Sequence, residues 1–134
     1  MSLLETCASV AILSAVVFFA APSLIRARES YHLDLTTRQV AGKMQWTRIK
    51  AISRNRDCRI RVISDTSYVI ECEGSAWQTD EIVTLPKGFR ITASAAPRFH
   101  KRGTASPAGT ITISDRHLRS KRVVVNITGR VRVE

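Results

Sequence analysis

Residues 1–28 read MSLLETCASVAILSAVVFFAAPSLIRAR, and this stretch decides the fold. From Thr6 to Ile25 there are twenty consecutive uncharged residues, dominated by Ala, Val, Ile, Leu and Phe. At about 1.5 Å of rise per residue they make roughly 30 Å of helix, the thickness of a bilayer's hydrocarbon core. A cleavable secretory signal is the alternative, but such signals open with basic residues and carry an apolar core of only about 7 to 15 residues. This stretch opens with an acid and runs longer, which favours a retained transmembrane helix. Pro22 removes a backbone donor inside it and deprives the carbonyl of Phe18 of its helical partner, so a kink or local melting is expected there. An ionised acid at the centre of a membrane costs roughly 2.5 kcal/mol or more and usually marks a function or a partner. Glu5 lies near the end of the segment. Either it sits among headgroups beside the chain's own amino terminus, or it meets a positive charge on another copy of the helix.

With 134 residues, 44% of them apolar, the chain is long enough for one domain and an appendage. Past Ile25 it turns polar without breaking its helix: no Pro occurs between Arg26 and Asn55. Leu33, Thr37, Val40, Met44 and Ala51 recur at the spacing of one helical face, the stripe that should cover a core. A second set, Leu35, Gly42, Trp46, Ile49 and Ser53, falls on roughly the opposite side. It suits packing against another helix, or else Trp46 and Ile49 lie under loops. Gly42 costs the helix about 1 kcal/mol relative to Ala, which close approach would help explain.

After Asp57 the period changes to two. CRIRVIS and YVIEC alternate around DTS, turn chemistry that makes them a hairpin. With Cys58 opposite Cys72, Arg59 faces Glu71, Val62 faces Tyr68 and the turn centres on Asp65. A Cys58–Cys72 disulfide would close a loop of about fifteen residues, worth roughly 3 kcal/mol in the chain-entropy model, and would place the domain in an oxidising compartment. Two independent buried thiols are the alternative. Cys7 reads as a small apolar filler. EIVTLPKGFRITAS offers two short strands around a Pro-Lys-Gly turn, PAGTITIS one more, and RVVVNITGRVRV a last long one, with AAPRFHKRGTASP as a basic, mobile loop between.

Candidate chemistry is thin. His32, His100 and His117 are scattered without acids or cysteines at ligand spacing, so neither a metal site nor a cofactor is expected. Ser114, Asp115 and His117 read as a polar turn rather than a triad, and an enzyme is not expected. Charge is more informative. Residues 1–25 hold only Glu5, so the remainder carries 21 basic against 10 acidic residues, a net +11. From Arg98 to Glu134 there are nine basic and two acidic residues, net +7. In the last strand Val123, Val125, Ile127, Val131 and Val133 alternate with Asn126, Thr128, Arg130 and Arg132, so Arg130 and Arg132 should stand on the same outward face, where each guanidinium can engage a phosphate. A solvated face, or contact with anionic membrane, is the plainer reading. Arg26 and Arg28, directly after the apolar segment, would by charge alone place that end in the cytoplasm.

SLLETCASVAILSAVVFFAAPSLIRA resembles the N-terminal segment of type IV pilins and pseudopilins, with Glu5 and Pro22 on the family's positions and Met1 at the methylated mature N-terminus. The resemblance implies cleavage by a prepilin peptidase; no basic leader ending in Gly is visible before Met1, so either it has been removed or the start is incomplete. It also implies that Glu5 pairs with the N-terminal amine of a neighbouring subunit during filament assembly. QVAGKMQWTRIKAISRN with PAGTITISDRHLRSKRVVVNITGRVRVE is similar to the GspH/FimT branch, which contains both secretion pseudopilins and minor pilins.

The expectation is an α+β fold. A long N-terminal helix, its first half transmembrane and kinked near Pro22, packs on an antiparallel β-sheet or small β-sandwich. Residues 1–25 would form the filament-core helix, 26–55 its amphipathic continuation and 56–134 the β domain. The resemblance implies a single-pass inner-membrane protein with its C-terminal domain in the periplasm, a subunit of a type II secretion system or of a type IV pilus whose partners are other pilin-type subunits. In the alternative it also captures extracellular DNA through Gly129, Arg130 and Arg132, helped by Lys121, Arg122, Lys101 and Arg102.

Overall fold

A computed structural model describes residues 2–134; Met1, the expected methylated terminus, lies outside the described residues. The chain divides into two compact units, one ending at His32 and the other spanning Leu33–Glu134. Helix α1 covers Leu3–Ser53.

In the first unit every side chain from Leu3 to Arg28 is exposed, and the helix is long and apolar enough to cross a membrane. Its hydroxyls fold back onto their own helix: Thr6 donates to the Leu3 carbonyl at 2.8 Å, Ser9 to Glu5 at 2.9 Å and Ser14 to Val10 at 2.8 Å. These three hydroxyls are thereby satisfied internally, as a lipid environment demands. Helical geometry continues without interruption across Pro22, so the local melting expected there does not occur.

The second unit packs the later part of the helix with two four-stranded antiparallel sheets. Sheet A has the order β3(Trp77–Thr84), β2(Ser67–Glu73), β1(Cys58–Ser64), β5(Arg98–Phe99). Sheet B has the order β4(Arg90–Ala93), β6(Gly109–Ser114), β7(Ser120–Val125), β8(Val131–Val133). The inward residues of both sheets, among them Ile60, Tyr68, Ile70, Ile91, Ile111, Ile113, Val123 and Val125, form one core with Leu33, Val40, Met44 and Ala51 of the helix. All five residues of the first helical stripe are buried. The second stripe is not covered by this domain: Leu35, Trp46 and Ile49 are 40%, 44% and 63% exposed, so they do not lie under loops. Asn55, at φ 53°, ends the helix. Its amide bonds to the Ile52 carbonyl at 3.2 Å and that of Arg56 to Ala51 at 3.1 Å, a Schellman closure.

The first hairpin has the expected register, Cys58 opposite Cys72, Arg59 opposite Glu71 and Val62 opposite Tyr68, with a bulge at Ile63 that brings Ser64 against Ser67. The two cysteines form a disulfide.

The two strands expected around Pro86–Gly88 are present as β3 and β4; they belong to different sheets, so the segment between them is a corner. Two expectations need correction. AAPRFHKRGTASP is not a plain loop, because Arg98–Phe99 pairs with β1 and the buried Phe99 anchors it in the core. The last long strand is a hairpin, β7 and β8, with Val125 opposite Val131. Asn126 and Gly129 break the strand. The Asn126 side chain accepts from the Ile127 amide at 2.7 Å, the Gly129 amide bonds to the Asn126 carbonyl at 2.8 Å, and Gly129 sits at φ 77°, where β-branched neighbours cannot follow. Arg130 therefore lies in a turn, and Arg132 on the short strand after it.

Candidate functional site

The sequence singles out two regions, the helix around Glu5 and Pro22 and the basic C-terminal part. On the helix, Glu5 is exposed in the first turn, its amide bonded to the Ser2 carbonyl at 3.0 Å. Seen alone, this unit presents one carboxylate and an otherwise uncharged, largely apolar surface as far as Ile25.

The basic region is built from two turns held against each other. The first, His100–Thr104, closes when the His100 amide bonds to the Thr104 carbonyl at 2.8 Å and the Gly103 amide to His100 at 2.8 Å. The second is Asn126–Arg130. Both contain a buried glycine at positive φ, Gly103 at 88° and Gly129 at 77°, and a Cβ on Gly129 would run into the Gly103 carbonyl oxygen. Arg48 of the helix straps the pair, donating from Nε to the Gly103 carbonyl at 2.8 Å and from Nη2 to that of Thr128 at 3.4 Å. Lys101, Arg102, Gly129 and Arg130 thus come together at the end of the domain where the helix finishes, with Arg132 following on β8. The side chains of Lys101, Arg102, Arg130 and Arg132 are exposed, with no ion-pair partner among the described residues.

Lys121 and Arg122 are placed elsewhere. Lys121 has the inward parity of Val123, at the opposite end of sheet B, and its Nζ meets Asp34 Oδ1 at 2.6 Å. That ion pair and Arg38 hold the Asp34 carboxyl below its ordinary range. Arg122 points outward and reaches Glu134 at 3.8 Å, with both side chains more than half exposed.

Asp57 locks the first turn from below. Its carboxylate accepts from Arg98 Nη2 at 2.7 Å, His100 Nδ1 at 2.8 Å and the Lys101 amide at 3.1 Å. Burial pushes its pKa up, but the bonds from His100, Arg98 and Lys101 together outweigh that and hold it low. Glu71 is a buried carboxylate, bonded by Arg59 at 2.7 Å and Arg61 at 2.9 Å. The Arg61 bond, aided by Arg59, overcomes burial and lowers its pKa. Above this pair the guanidiniums of Arg59 and Arg98 lie 4.2 and 5.1 Å from the Trp77 ring centroid, so the aromatic face is already occupied. Asp115 accepts from the His117 and Arg119 amides at 2.9 and 3.0 Å, which makes it the brace of the β6–β7 turn. Among the described residues no cluster of His, Cys, Asp or Glu is arranged to hold a metal ion.

Sequence reasoning missed Arg48 and Asp57 as organisers, and Arg54 and Arg56 as further cations at the same end. Arg54 reaches Asp80 at 3.3 Å, while Arg56 helps line a polar groove of about 570 Å³ with Asp57, Glu73 and Lys101. Asn55 was the available signal, since the helix end it sets fixes where those arginines stand. As chemistry, the arrangement offers exposed cations on tied turns, able to take phosphates or carboxylates without reading their sequence context.

The comparisons with known proteins agree on the fold. The family described as Type II transport protein GspH matches residues 36–129. No curated protein matches the chain by sequence. Among solved structures, the minor pseudopilin EpsH from the Type 2 Secretion System of Vibrio cholerae is similar at a TM-score of 0.67 and 15% identity, over 77% of this chain and 96% of that one. The type IV minor pilin FimU of Pseudomonas aeruginosa is similar at 0.66 and 16%, over 79% and 90%. At such identities the likeness is one of fold. The family match, running from the buried helical stripe through both sheets to the glycine of the last turn, carries the assignment: this chain belongs to the Type II transport protein GspH family.

Proposed function

We propose that the protein is a minor pilin or pseudopilin, a structural subunit rather than an enzyme, that enters a filament through its N-terminal helix. The filament belongs to a type II secretion system or a type IV pilus. The observation that carries this reading is the wholly exposed apolar helix with Glu5 as its single charge before Arg26, attached to a domain of the GspH family. Before assembly the helix lies in the inner membrane with the β domain in the periplasm, where the disulfide is stable. Processing by a prepilin peptidase supplies the methylated N-terminus, and Glu5 pairs with that amine on a neighbouring pilin-type subunit. The test is Glu5→Ala in the full chain. The variant should stay in the membrane fraction and disappear from sheared filaments; incorporation equal to the parent would refute the pairing.

A second reading, DNA capture on the same filament, is favoured by the unpaired cations on the two strapped turns. Such contacts are to phosphates, so log affinity should fall with log salt at a slope near 0.9 per phosphate engaged. Changing Arg130 and Arg132 together to Gln should flatten that slope by roughly two units. An unchanged slope would move the binding face elsewhere, and no binding at low salt would leave the assembly role alone.

A further inference from the structure

The β domain has a second basic end, where the helix enters it at Leu33. Asp34 is paired there with Lys121, and Leu85 and Pro86 flank the same groove as Thr36. The β3–β4 corner touches the β6–β7 turn closely: a Cβ on Gly88 would come within 2.6 Å of Arg116 Nε. At the tip of that turn Leu118 is 89% exposed and sits at φ 61°, a conformation that costs a side-chain-bearing residue roughly 1–2 kcal/mol. Asp115 holds it there, accepting from the His117 and Arg119 amides on either side. A large apolar side chain is thus held outward by a built turn. Around it Lys87 and Arg116 are exposed, with no ion-pair partner among the described residues. Arg90, its side chain 74% exposed, reaches Asp65 only at 4.0 Å.

Chain length supplies the partner. Seven residues, 26–32, separate the last residue of the apolar stretch from Leu33. Fully extended they span at most about 25 Å, so in any conformation this end stays within reach of the surface that the apolar helix enters. We infer that the entry end of the β domain rests on anionic lipid, with Lys87, Arg90 and Arg116 on the phosphates and Leu118 in the interfacial layer. The inference rests on the membrane-anchored state proposed above. Leaving the membrane for a filament then requires release of this contact, so lipid composition would set how readily a subunit departs.

The experiment is hydrogen exchange on the full chain in nanodiscs of phosphatidylcholine alone and of phosphatidylcholine with phosphatidylglycerol. A Lys87→Glu/Arg116→Glu variant is run alongside. Amides of residues 87–90 and 116–119 should exchange about threefold or more slowly in the anionic discs, and the variant should lose that difference. The turns at 101–104 and 126–130 should not respond. Equal rates in the two lipids, or slowing that survives in the variant, would overturn the inference while residues 3–25 remain protected. Free exchange within residues 3–25 would instead overturn the anchored state, and this contact with it.

Discussion

Replacing Gly129 with Ala tests the two-turn geometry at its tightest point. Two costs add. The residue sits at φ 77°, where alanine is disfavoured by roughly 1–2 kcal/mol. The new methyl would run into the Gly103 carbonyl oxygen and come within 2.9 Å of Arg48 Nε. That carbonyl cannot swing aside without losing its 2.8 Å bond from Arg48, and the Ala105 amide ties the same segment to the Ile127 carbonyl at 2.9 Å. Overpacking of this kind costs typically 1–3 kcal/mol, so the total should be about 2–5 kcal/mol. All the buried core residues lie at or after Leu33, so the assay is urea unfolding of residues 29–134 followed by tryptophan fluorescence. With an m-value of roughly 1.5 kcal/mol/M, the midpoint should fall by about 1–3 M at unchanged slope. Gly42→Ala is the comparator. Gly42 lies in the helix, and a Cβ added there would have nothing within 4 Å, so the same substitution should stabilise by about 1 kcal/mol. A Gly129→Ala midpoint within about 0.3 M of the parent, a shift of about 0.5 kcal/mol, would mean that the two turns do not meet as described.

Further outcomes are expected in the same fragment. Changing Cys58 and Cys72 together to Ala should cost roughly 3 kcal/mol, because the bridge closes a loop of about fifteen residues; reductant should reproduce the loss in the parent and leave the variant unaffected. Asp57, Glu71 and Asp115 have pKa values below the ordinary carboxylate range in the fold. Their stabilisation is therefore full above about pH 4–5 and lost as pH falls below it, and Asp57→Asn should flatten the acid limb of a stability profile. Burial, helped by Glu81, pushes the Tyr68 hydroxyl up to about 12. The unfolded chain ionises near pH 10, so stability should decline between about pH 10 and 12, and Tyr68→Phe should remove that part of the decline. Arg48→Met should speed amide exchange in both turns while sparing the Cys58–Cys72 hairpin, since the strap touches only the turns.

Much of the architecture was readable from local pattern. The spacing of Leu33, Val40 and Met44 identified the buried face, and pairing Cys58 with Cys72 fixed the hairpin register to Val62, where the bulge begins. What failed was whatever depends on contacts between distant parts of the chain. β5 has two residues, too few for alternation to register, and exists because Phe99 is buried beside β1. The last strand read as continuous because Val, Ile and Thr dominate it. Asn126 and Gly129 were the counter-signal, and they win because each satisfies a backbone group that the strand would have left open. The candidate basic site was legible as residue types and not as a place. Arg48 and Asp57, which gather it, act across 55 and 44 positions of sequence respectively, and the same folding carries Lys121 to the other end.

The strand edges bear on how such a protein tolerates company. The helix sends Lys43 to Glu81 at 2.6 Å, and Lys50 with Arg54 to Asp80, so charged pairs flank the long outer strand β3. The outer strands of sheet B are short, four residues for β4 and three for β8, and each carries an exposed arginine, Arg90 or Arg132. Unpaired edges invite neighbouring chains to zip on through their backbones, and brevity and charge are the usual defences. Copies crowded side by side would therefore meet through side-chain surfaces, where contacts can be selective and reversible, instead of fusing into continuous sheet.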